Sequence, residues 1–547
     1  MEKIESMTFP ALFAETIRKN GERPAMALVG ENPITYNELD QKINALIAWL
    51  EKLGIKQGDK VAILSSSIPN WGISYYAITF MGAIVVPLLP DFHTLEMGNI
   101  LEHSEAKAIF VSEGLRSKII GLHSEQLAIR IRIEDFKLYE NKGELADFIQ
   151  DAIPEKQYKV TADDLAAIIY TSGTTGKSKG VMLTHGNICF TAKMSNRVQE
   201  INETDKFLSV LPLSHTYENT IGLILPMTRG ACIYYLGKVP TPSVLLPALQ
   251  VIKPTVMLTV PLIIEKIFRN RIKPKFTGNI LLRIAIHIPF IRRKFNVLAG
   301  KKLMETFGGE LRFFGIGGAK LNKTVEKFLI EAKFPYAIGY GLTETSPLLA
   351  GSNPRNFRLQ STGPAIEGIE LIIHNPDIIT GEGEIWAKGP NVMKGYYKEP
   401  GLTKEIITSD GWFRTGDLGV FDKDGYLYIK GRIRNMIVRS GGENIFPEEI
   451  ESVINNFQYV ADSLVMDQKG KLVAMVNFNH EEIKDQHHHL KDENADYIEH
   501  EIEKLRTELQ SYVNHRVNKF SQIQEVIVIK EPFEKTATQK IKRYLYG

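Results

Sequence analysis

The residue types of one segment predict that it binds phosphate. The stretch Tyr170–Val181 reads YTSGTTGKSKGV and directly follows the apolar run Leu165–Ile169. Glycines let backbone N–H groups turn toward an anion, hydroxyls add donors, and lysines supply positive charge. A nucleoside triphosphate is the ligand that this combination favours. The predicted contacts to it are Thr171, Ser172, Gly173, Thr174, Thr175, Gly176 and Lys177.

Two other interpretations of this segment are weaker. A Walker A loop that ends at Gly176 to Ser178 needs a glycine five residues before Gly176, where Thr171 stands. A glycine-rich surface turn would not require this order of threonine, serine, glycine and lysine over twelve residues. We therefore retain the prediction of phosphate binding.

The stretch Tyr170–Val181 resembles the signature of the adenylate-forming superfamily, which contains acyl-CoA synthetases, luciferases and peptide-synthetase adenylation domains. Further segments similar to that family follow in its order along essentially the whole chain, namely Leu211–Glu218, Tyr340–Thr345, Gly383–Gly389, Thr415–Gly419, Gly431–Arg434 and Lys540. The resemblance implies a reaction in which ATP converts a carboxylate to an acyl-adenylate, because a free carboxylate is a poor acyl donor.

The resemblance implies roles for three residues at the reacting phosphate. Lys540 matches the catalytic lysine that bridges the acid and the α-phosphate, and Glu344 and Thr175 match the groups that hold Mg²⁺ against the triphosphate. Lys540 could instead be a solvated charge, since lysines are usually exposed. Gln539 and Glu534 stand where the family commonly has glycine and proline, which puts the local turn in doubt but not the alignment.

The nucleotide contacts are also implied by the resemblance. Tyr340 matches the aromatic ring that stacks on adenine, with Gly341 and Thr343 in the same segment, and Asp417 and Arg432 match the pair that holds the ribose hydroxyls. Gly317, Gly318 and Ala319 match the backbone wall beside the adenine. Asp417 could also be an ordinary turn residue. A Rossmann cofactor is rejected because Lys320 replaces the last glycine of its fingerprint.

The acyl group and its acceptor are less well defined by the sequence. His215 matches a position near the carboxylate in acyl-CoA synthetases, and several segments are similar to bacterial long-chain fatty-acid–CoA ligases. Ser440, Gly441 and Gly442 resemble the thiol tunnel, which favours CoA as co-substrate. A carrier protein as acceptor, an aromatic, sterol or medium-chain acid, and a non-catalytic lipid-binding relative are the alternatives.

Composition sets the remaining expectations. With 66 basic and 64 acidic residues the net charge is +2. The overall charge therefore gives no reason to expect nucleic-acid binding. Cys189 and Cys232 are expected to be small buried hydrophobes. The start Met1–Pro10 lacks the pattern of a secretion signal and no window of about 18 apolar residues occurs, so we expect a soluble cytoplasmic protein.

One basic stretch suggests a membrane contact. Residues 269–302 contain ten basic residues and no acidic one, interleaved with apolar residues. This favours peripheral contact with an anionic membrane at its inner face, although a solvated basic hairpin is an alternative. A homodimer is a further expectation. The triplet at 487–489, all histidine, is expected to be a solvated helix start and not a metal site.

The order of predicted elements indicates an α/β fold. Apolar strand-like runs alternate with helical patterns, so we expect βα-wound subdomains and, from about residue 360, a small β-barrel, together forming a large N-terminal domain over 1–431. A small mobile α+β domain is expected over 432–547. Arg434 matches the hinge position of the resembling family.

Overall fold

The computed structural model describes residues 7–122, 126–140, 146–171, 178–272, 274, 288–438, 444–486, 495–536 and 540–546. The helices in these ranges are α1 (Phe9–Asn20), α2 (Tyr36–Lys52), α3 (Pro69–Phe80), α4 (Thr94–Ser104), α5 (His185–Val198), α6 (Leu225–Arg229), α7 (Pro242–Ile252), α8 (Pro261–Ile267), α9 (Pro289–Thr306), α10 (Lys323–Glu331), α11 (Pro400–Ile406), α12 (Pro447–Ile454), α13 (His480–Gln486) and α14 (Ala495–Asn514).

The strands of the first part of the chain are β1 (Pro24–Leu28), β2 (Ile34–Thr35), β3 (Lys60–Leu64), β4 (Ile84–Leu88), β5 (Ala106–Val111), β6 (Ile129–Arg132), β7 (Lys137–Leu138), β8 (Leu165–Thr171), β9 (Lys179–Thr184), β10 (Lys206–Ser209), β11 (Cys232–Tyr235), β12 (Val256–Thr259), β13 (Phe313–Ile316), β14 (Tyr336–Gly341) and β15 (Leu348–Gly351). They are followed by β16 (Glu370–His374), β17 (Gly383–Lys388), β18 (Gly395–Tyr396), β19 (Phe413–Phe421), β20 (Leu427–Arg432), β21 (Ile437–Val438), β22 (Asn444–Ile445), β23 (Val460–Gln468), β24 (Lys471–Phe478) and β25 (Glu525–Ile529).

The start of α2 shows how local sequence sets an element. The Thr35 side chain accepts from the Glu38 backbone N–H at 3.1 Å, and the Glu38 carboxylate accepts from the Thr35 N–H at 2.7 Å. This capping box satisfies donors that a helix end otherwise leaves unpaired. Residues within four positions of one another therefore set the start of α2.

The chain divides into two compact units. The first comprises Met1–Ile372, Trp386–Arg414 and Asp422–Leu427. It contains two eight-stranded sheets, of order β15–β14–β13–β12–β10–β11–β1–β2 and β18–β9–β8–β4–β3–β5–β6–β7. Parallel strands dominate both sheets, which confirms the predicted α/β class.

The core of the first unit is formed by these sheets and the helices that cover them. Strand β3 has four of its five residues buried, and α3 is buried on nearly all sides. Both cysteines are free and buried, as predicted. Among the described helices, none is long and apolar enough to cross a bilayer.

The second unit comprises Ile373–Ile385, Thr415–Phe421 and Tyr428–Gly547. Its three-stranded sheet β23–β24–β25 packs with α12 and α14 through residues such as Ile450, Val476 and Leu509. The domain boundary at 431–432 stays a prediction. Within this unit Lys430 pairs with Glu382 at 2.7 Å, and the Thr415 hydroxyl donates to the Ile385 carbonyl at 2.7 Å.

The region expected to form a small barrel is a four-stranded sheet of order β16–β17–β19–β20. Its two edge strands, β16 and β20, do not pair with each other, so the sheet is open. Closure into a barrel requires that pairing as well as a suitable strand stagger. The strands expected from about residue 360 are present, but they form an open sheet and not a closed barrel.

Candidate active site

Three predicted site segments lie at one edge of the first eight-stranded sheet. Strands β10, β12, β13 and β14 are parallel neighbours. His215 follows β10 and Gly317 follows β13. Tyr340 is the last but one residue of β14. Carboxyl ends of parallel strands meet at the same edge, where open α/β sheets bind ligands. The fold therefore brings these three segments together.

The backbone wall predicted at Gly317 is closely packed on one side. The Gly317 N–H donates to the Thr259 carbonyl at 3.1 Å, and a Cβ on Gly317 would lie 3.2 Å from the Tyr217 ring. Gly318 has a φ of +86°, which favours glycine. Ala319 is exposed. The segment thus presents backbone, with little side chain, at the sheet edge.

The segment after β14 has a second close backbone approach. A Cβ on Gly341 would lie 1.6 Å from the Pro347 carbonyl oxygen, so only glycine fits there. A single 3-10 turn, Thr343–Thr345, follows, and the side chains of Tyr340, Thr343 and Glu344 are half-buried. This turn fixes Glu344 four residues after Tyr340, the predicted adenine contact.

Tyr396 holds the predicted metal ligand and was missed by the sequence analysis. Its hydroxyl donates to Glu344 Oε1 at 2.8 Å, and the Lys179 ammonium lies 5.3 Å from the centre of its ring. The Glu344 carbonyl also accepts from the Met393 N–H at 2.9 Å. A half-buried carboxylate oriented by a phenol suits Mg²⁺, which prefers oxygen ligands and keeps most of its water.

The phosphate-binding segment is described only at its two ends. Thr171 ends β8 and pairs with Lys179 at the start of antiparallel β9. Ser172, Gly173, Thr174, Thr175, Gly176 and Lys177 lie outside the described residues. Since Lys179 contacts Tyr396 and Tyr396 contacts Glu344, the hairpin end and the predicted metal ligand are adjacent.

Glu218, three residues after His215 in the chain, carries a buried carboxyl. The His215 N–H donates to the Pro212 carbonyl at 3.0 Å, its carbonyl accepts from Asn219, and its side chain is half-buried. Glu218 is only 2% exposed and its Oε1 accepts from the Ser209 hydroxyl at 2.6 Å. Burial raises the pKa of Glu218 to about 8, against the hydrogen bond from Ser209. This carboxyl is therefore mostly neutral at neutral pH.

The predicted ribose pair forms within the second unit. Arg432 Nε lies 2.7 Å from Asp417 Oδ1, and the Asp417 side chain is 6% exposed. The Asp417 N–H donates to the Thr415 hydroxyl at 3.1 Å, which fixes the turn. Arg434 lies two residues further on, in the 3-10 turn Ile433–Asn435, with its side chain exposed.

Lys540 lies in a short backbone-paired segment of the second unit. The Thr536 N–H donates to the Lys540 carbonyl at 2.7 Å, and Lys540 itself is exposed. Ion pairs stand on both sides of it, from Lys535 to Asp462 at 2.8 Å and from Arg543 to Glu451. Ser440, Gly441 and Gly442 lie outside the described residues, as does the histidine triplet at 487–489.

Comparison with known proteins identifies relatives over most of the chain. The family described as AMP-binding enzyme matches residues 13–397. The long-chain-fatty-acid–CoA ligase ACSBG2 of Rattus norvegicus is 26% identical over 97% of this chain and 84% of its own length. Long-chain-fatty-acid–CoA ligase 1 of Saccharomyces cerevisiae is 29% identical over 81% of this chain and 72% of its own.

Solved structures agree with this fold. The structure of o-succinylbenzoate CoA synthetase from Bacillus subtilis with an acyl-adenylate intermediate superposes with a TM-score of 0.76 and 24% identity. The similarity covers 98% of both chains. At this identity the likeness establishes the shared fold.

Proposed function

Because the chain belongs to the AMP-binding enzyme family, we propose that it is an AMP-forming long-chain fatty-acid–CoA ligase. In the first step the fatty-acid carboxylate attacks the α-phosphorus of ATP, which forms acyl-AMP and releases pyrophosphate. In the second step the CoA thiol attacks the acyl carbonyl, which forms the thioester and releases AMP. The observation that carries this proposal is the similarity to long-chain-fatty-acid–CoA ligases over most of the chain. The Tyr396 bond to Glu344 supports the phosphate site, since Tyr396 lies in β18, which pairs with β9.

The residues have separate tasks in adenylation. Two anions must approach, so cations and oriented N–H groups have to offset their repulsion in the transition state. Lys540 supplies the charge between carboxylate and α-phosphate, and the segment at 171–177 binds the phosphates. Tyr340 and the wall at 317–319 hold the adenine, and Asp417 and Arg432 hold the ribose. His215 orients the carboxylate of the acid.

The cofactor and acceptor belong to the same proposal. Glu344 and Thr175 would hold Mg²⁺, which when bound neutralises phosphate charge. The segment at 440–442 admits CoA. Arg434 acts as a hinge that lets the chain that follows it, with Lys540, change position between the two steps. Its exposed side chain can exchange partners in water, which supports that role.

Substitution of Lys540 tests the assignment of steps. Lys540→Ala should lower acyl-AMP formation at least about 10²-fold, because a charge that stabilises the transition state is removed. Thioester formation from supplied acyl-AMP should stay nearly unchanged. The control is Lys530→Ala, whose ammonium is 83% exposed and pairs with Glu499 at 3.0 Å. Equal loss in both steps would contradict the role of Lys540.

A product panel tests the substrate class. The protein is incubated with Mg-ATP, CoA and equimolar fatty acids from short to long chains, and products are identified by mass spectrometry. Long-chain acyl-CoA with matching AMP supports the proposal. Acyl-AMP without thioester indicates a carrier protein as acceptor, and no product indicates another acid or a non-catalytic relative.

Membrane contact and dimerisation are the remaining parts of the proposal. In the described part of 269–302, Phe290 is 67% and Leu298 55% exposed, among basic residues such as Arg293. Apolar side chains flanked by cations suit an anionic lipid surface. Sedimentation with anionic vesicles that weakens in salt supports this contact, and indifference to lipid charge contradicts it. The homodimer is tested by analytical ultracentrifugation.

A further inference from the structure

Helix α4 touches both strands of the hairpin that carries the phosphate-binding segment. The segment leaves β8 after Thr171 and re-enters the described chain at Ser178. A side chain from the last turn of α4 contacts the first stem, and one from its first turn contacts the second stem. The two contacts use different chemistry and lie far from the hairpin in sequence.

The first contact joins His103 and Tyr170. His103 Nδ1 lies 2.8 Å from the Tyr170 hydroxyl, and the two rings are nearly perpendicular at 84°. Tyr170 is 4% exposed. Across the hairpin stands Gly180, where a Cβ would lie 3.2 Å from the end of the Tyr170 ring. The glycine therefore leaves the space in which the tyrosine meets the histidine.

The second contact joins Glu96 and Ser178. The Ser178 hydroxyl donates to Glu96 Oε1 at 2.7 Å, and both side chains are half-buried. A hydrogen bond to a carboxylate is stronger than one between neutral groups. Ser178 is the first described residue after the phosphate segment, so this bond fixes the point at which the chain returns.

The spacing of the two side chains matches one face of the helix. Glu96 and His103 are seven residues apart, which is two turns and about 10 Å along the axis. Beside them α4 buries Met97, Ile100 and Leu101, each at most 1% exposed. A helix anchored by this row cannot shift easily, so it offers two fixed points to the hairpin.

The C-terminal end of α4, at His103, is held by contacts with Tyr397 and Lys398. Lys398 Nζ donates to the His103 carbonyl at 2.9 Å and pairs with Glu105 at 2.9 Å, and the Tyr397 ring lies 5.6 Å from the imidazole. Burial, and then the Lys398 charge, lower the pKa of His103. A neutral imidazole is thereby favoured, and it can share one proton with the Tyr170 hydroxyl.

We propose that Glu96 and His103 are positioning residues that hold both stems of the phosphate-binding segment in place for Mg-ATP. The inference rests on the nucleotide role proposed for 171–177. Fixing both Tyr170 and Ser178 sets the positions between which the nucleotide contacts are carried, so less rearrangement of these two ends should accompany nucleotide binding. Removing either hydrogen bond, His103–Tyr170 or Glu96–Ser178, should therefore weaken ATP binding. It should leave the reaction of bound substrates nearly unchanged.

The test removes each hydroxyl from the stem side. Tyr170→Phe and Ser178→Ala are made singly and together, and Mg-ATP binding is measured by calorimetry without any acid. Each single variant should raise the Kd about fivefold and the double variant at least about tenfold, the effect of losing one and two net hydrogen bonds. The kcat at saturating ATP should stay within about twofold of wild type, because bound substrates react in the same site.

Two further variants separate positioning from general stability. Tyr139→Phe removes a hydroxyl that donates to the Val111 carbonyl at 3.2 Å, away from the hairpin, and should leave the ATP Kd unchanged. Glu96→Gln keeps an acceptor oxygen for Ser178 and should retain most of the affinity that Glu96→Ala loses. Thermal midpoints are recorded for every variant.

The outcomes are distinct. An ATP Kd within about twofold of wild type in the folded double variant overturns the proposal, since two lost hydrogen bonds should exceed that change. Loss of ATP binding that tracks the thermal midpoint, with Tyr139→Phe equally affected, also overturns it. Failure of the wild type to activate any fatty acid would contradict the proposed function alone, because the ATP series is measured without acid.

Discussion

Side chains in and beside the predicted sites of the two units make different kinds of bond. In the first unit a hydroxyl meets a carboxylate or an imidazole, in the pairs Tyr170–His103, Ser178–Glu96, Tyr396–Glu344 and Ser209–Glu218. In the second unit a cation meets a carboxylate, in the pairs Arg432–Asp417, Lys535–Asp462 and Arg543–Glu451. Hydroxyl bonds are insensitive to salt, whereas partly exposed ion pairs are screened by it.

The difference between the two units is clearest at two buried glutamates. Glu218 and Glu451 are 2% and 9% exposed. Burial raises the pKa of Glu218 to about 8, and it raises the pKa of Glu451 to about 7 against the attraction of Arg543. The same residue type is therefore mostly neutral in one unit and can share charge with a guanidinium in the other. The difference predicts that Glu451, unlike Glu218, depends on the charge of its partner.

The largest expected effect is on the pH dependence of stability through Glu218. Because its folded pKa is raised, its contribution is complete below the unfolded value and is lost as pH rises toward 8. Each pH unit in that window costs about 1.4 kcal/mol, so about 4 kcal/mol separates pH 5 from pH 8. Glu218→Gln removes this loss. Urea unfolding of both proteins across this range should show the variant gaining relative stability as pH rises.

The hydrogen bond between Ser209 and Glu218 provides a matched control for this prediction. Ser209→Ala removes the hydroxyl donor of Glu218 but keeps the carboxyl, so the loss of stability with pH should persist in it. A wild type and a Glu218→Gln variant with parallel pH profiles would show that Glu218 is ionised in the fold. The contrast with Glu451 would then disappear.

The next effect is the loss of the guanidinium that faces Glu451. Arg543→Met leaves a carboxyl buried without its cation, and removing one partner of such a pair typically destabilises by about 3 kcal/mol. The loss should be greater at pH 8 than at pH 6, since a neutral Glu451 tolerates burial. Thermal unfolding at the two pH values measures it.

Adding Glu451→Gln to Arg543→Met should recover part of that loss. The amide oxygen can still accept from the Val465 N–H, which lies 2.7 Å from Glu451 Oε1 in the native fold, and no charge remains buried. A double variant no more stable than Arg543→Met would mean that the arginine acts through packing or through its bond to the Val465 carbonyl. Glu451 would then resemble Glu218 of the first unit, in that neither carboxyl would depend on the charge of its partner.

Much of the fold followed from local sequence, but the bonds compared here did not. The capping box at Thr35, the strand ends that carry Gly317 and Tyr340, and the buried cysteines all depend on residues near one another or on apolar pattern. Tyr396 lies 52 residues from Glu344, and α4 lies 67 to 82 residues from its partners. Such pairs form only when the sheets place distant strands side by side, so no motif reveals them.

The smallest expected effect tests the salt dependence that separates the units. Lys535 Nζ lies 2.9 and 2.8 Å from the two Asp462 oxygens, with the side chains 27% and 29% exposed. Asp462→Asn should cost less than about 1 kcal/mol at low salt, and nearly nothing near 1 M salt, where screening acts over about 3 Å. Ser178→Ala is the first-unit control, and its weakening of ATP binding, relative to wild type, should be equal at both salt concentrations because it removes a hydroxyl and no charge. If both variants respond to salt alike, the two kinds of bond are not what distinguishes the units; if only Asp462→Asn does, the ion pairs beside Lys540 are salt-sensitive contacts within the second unit.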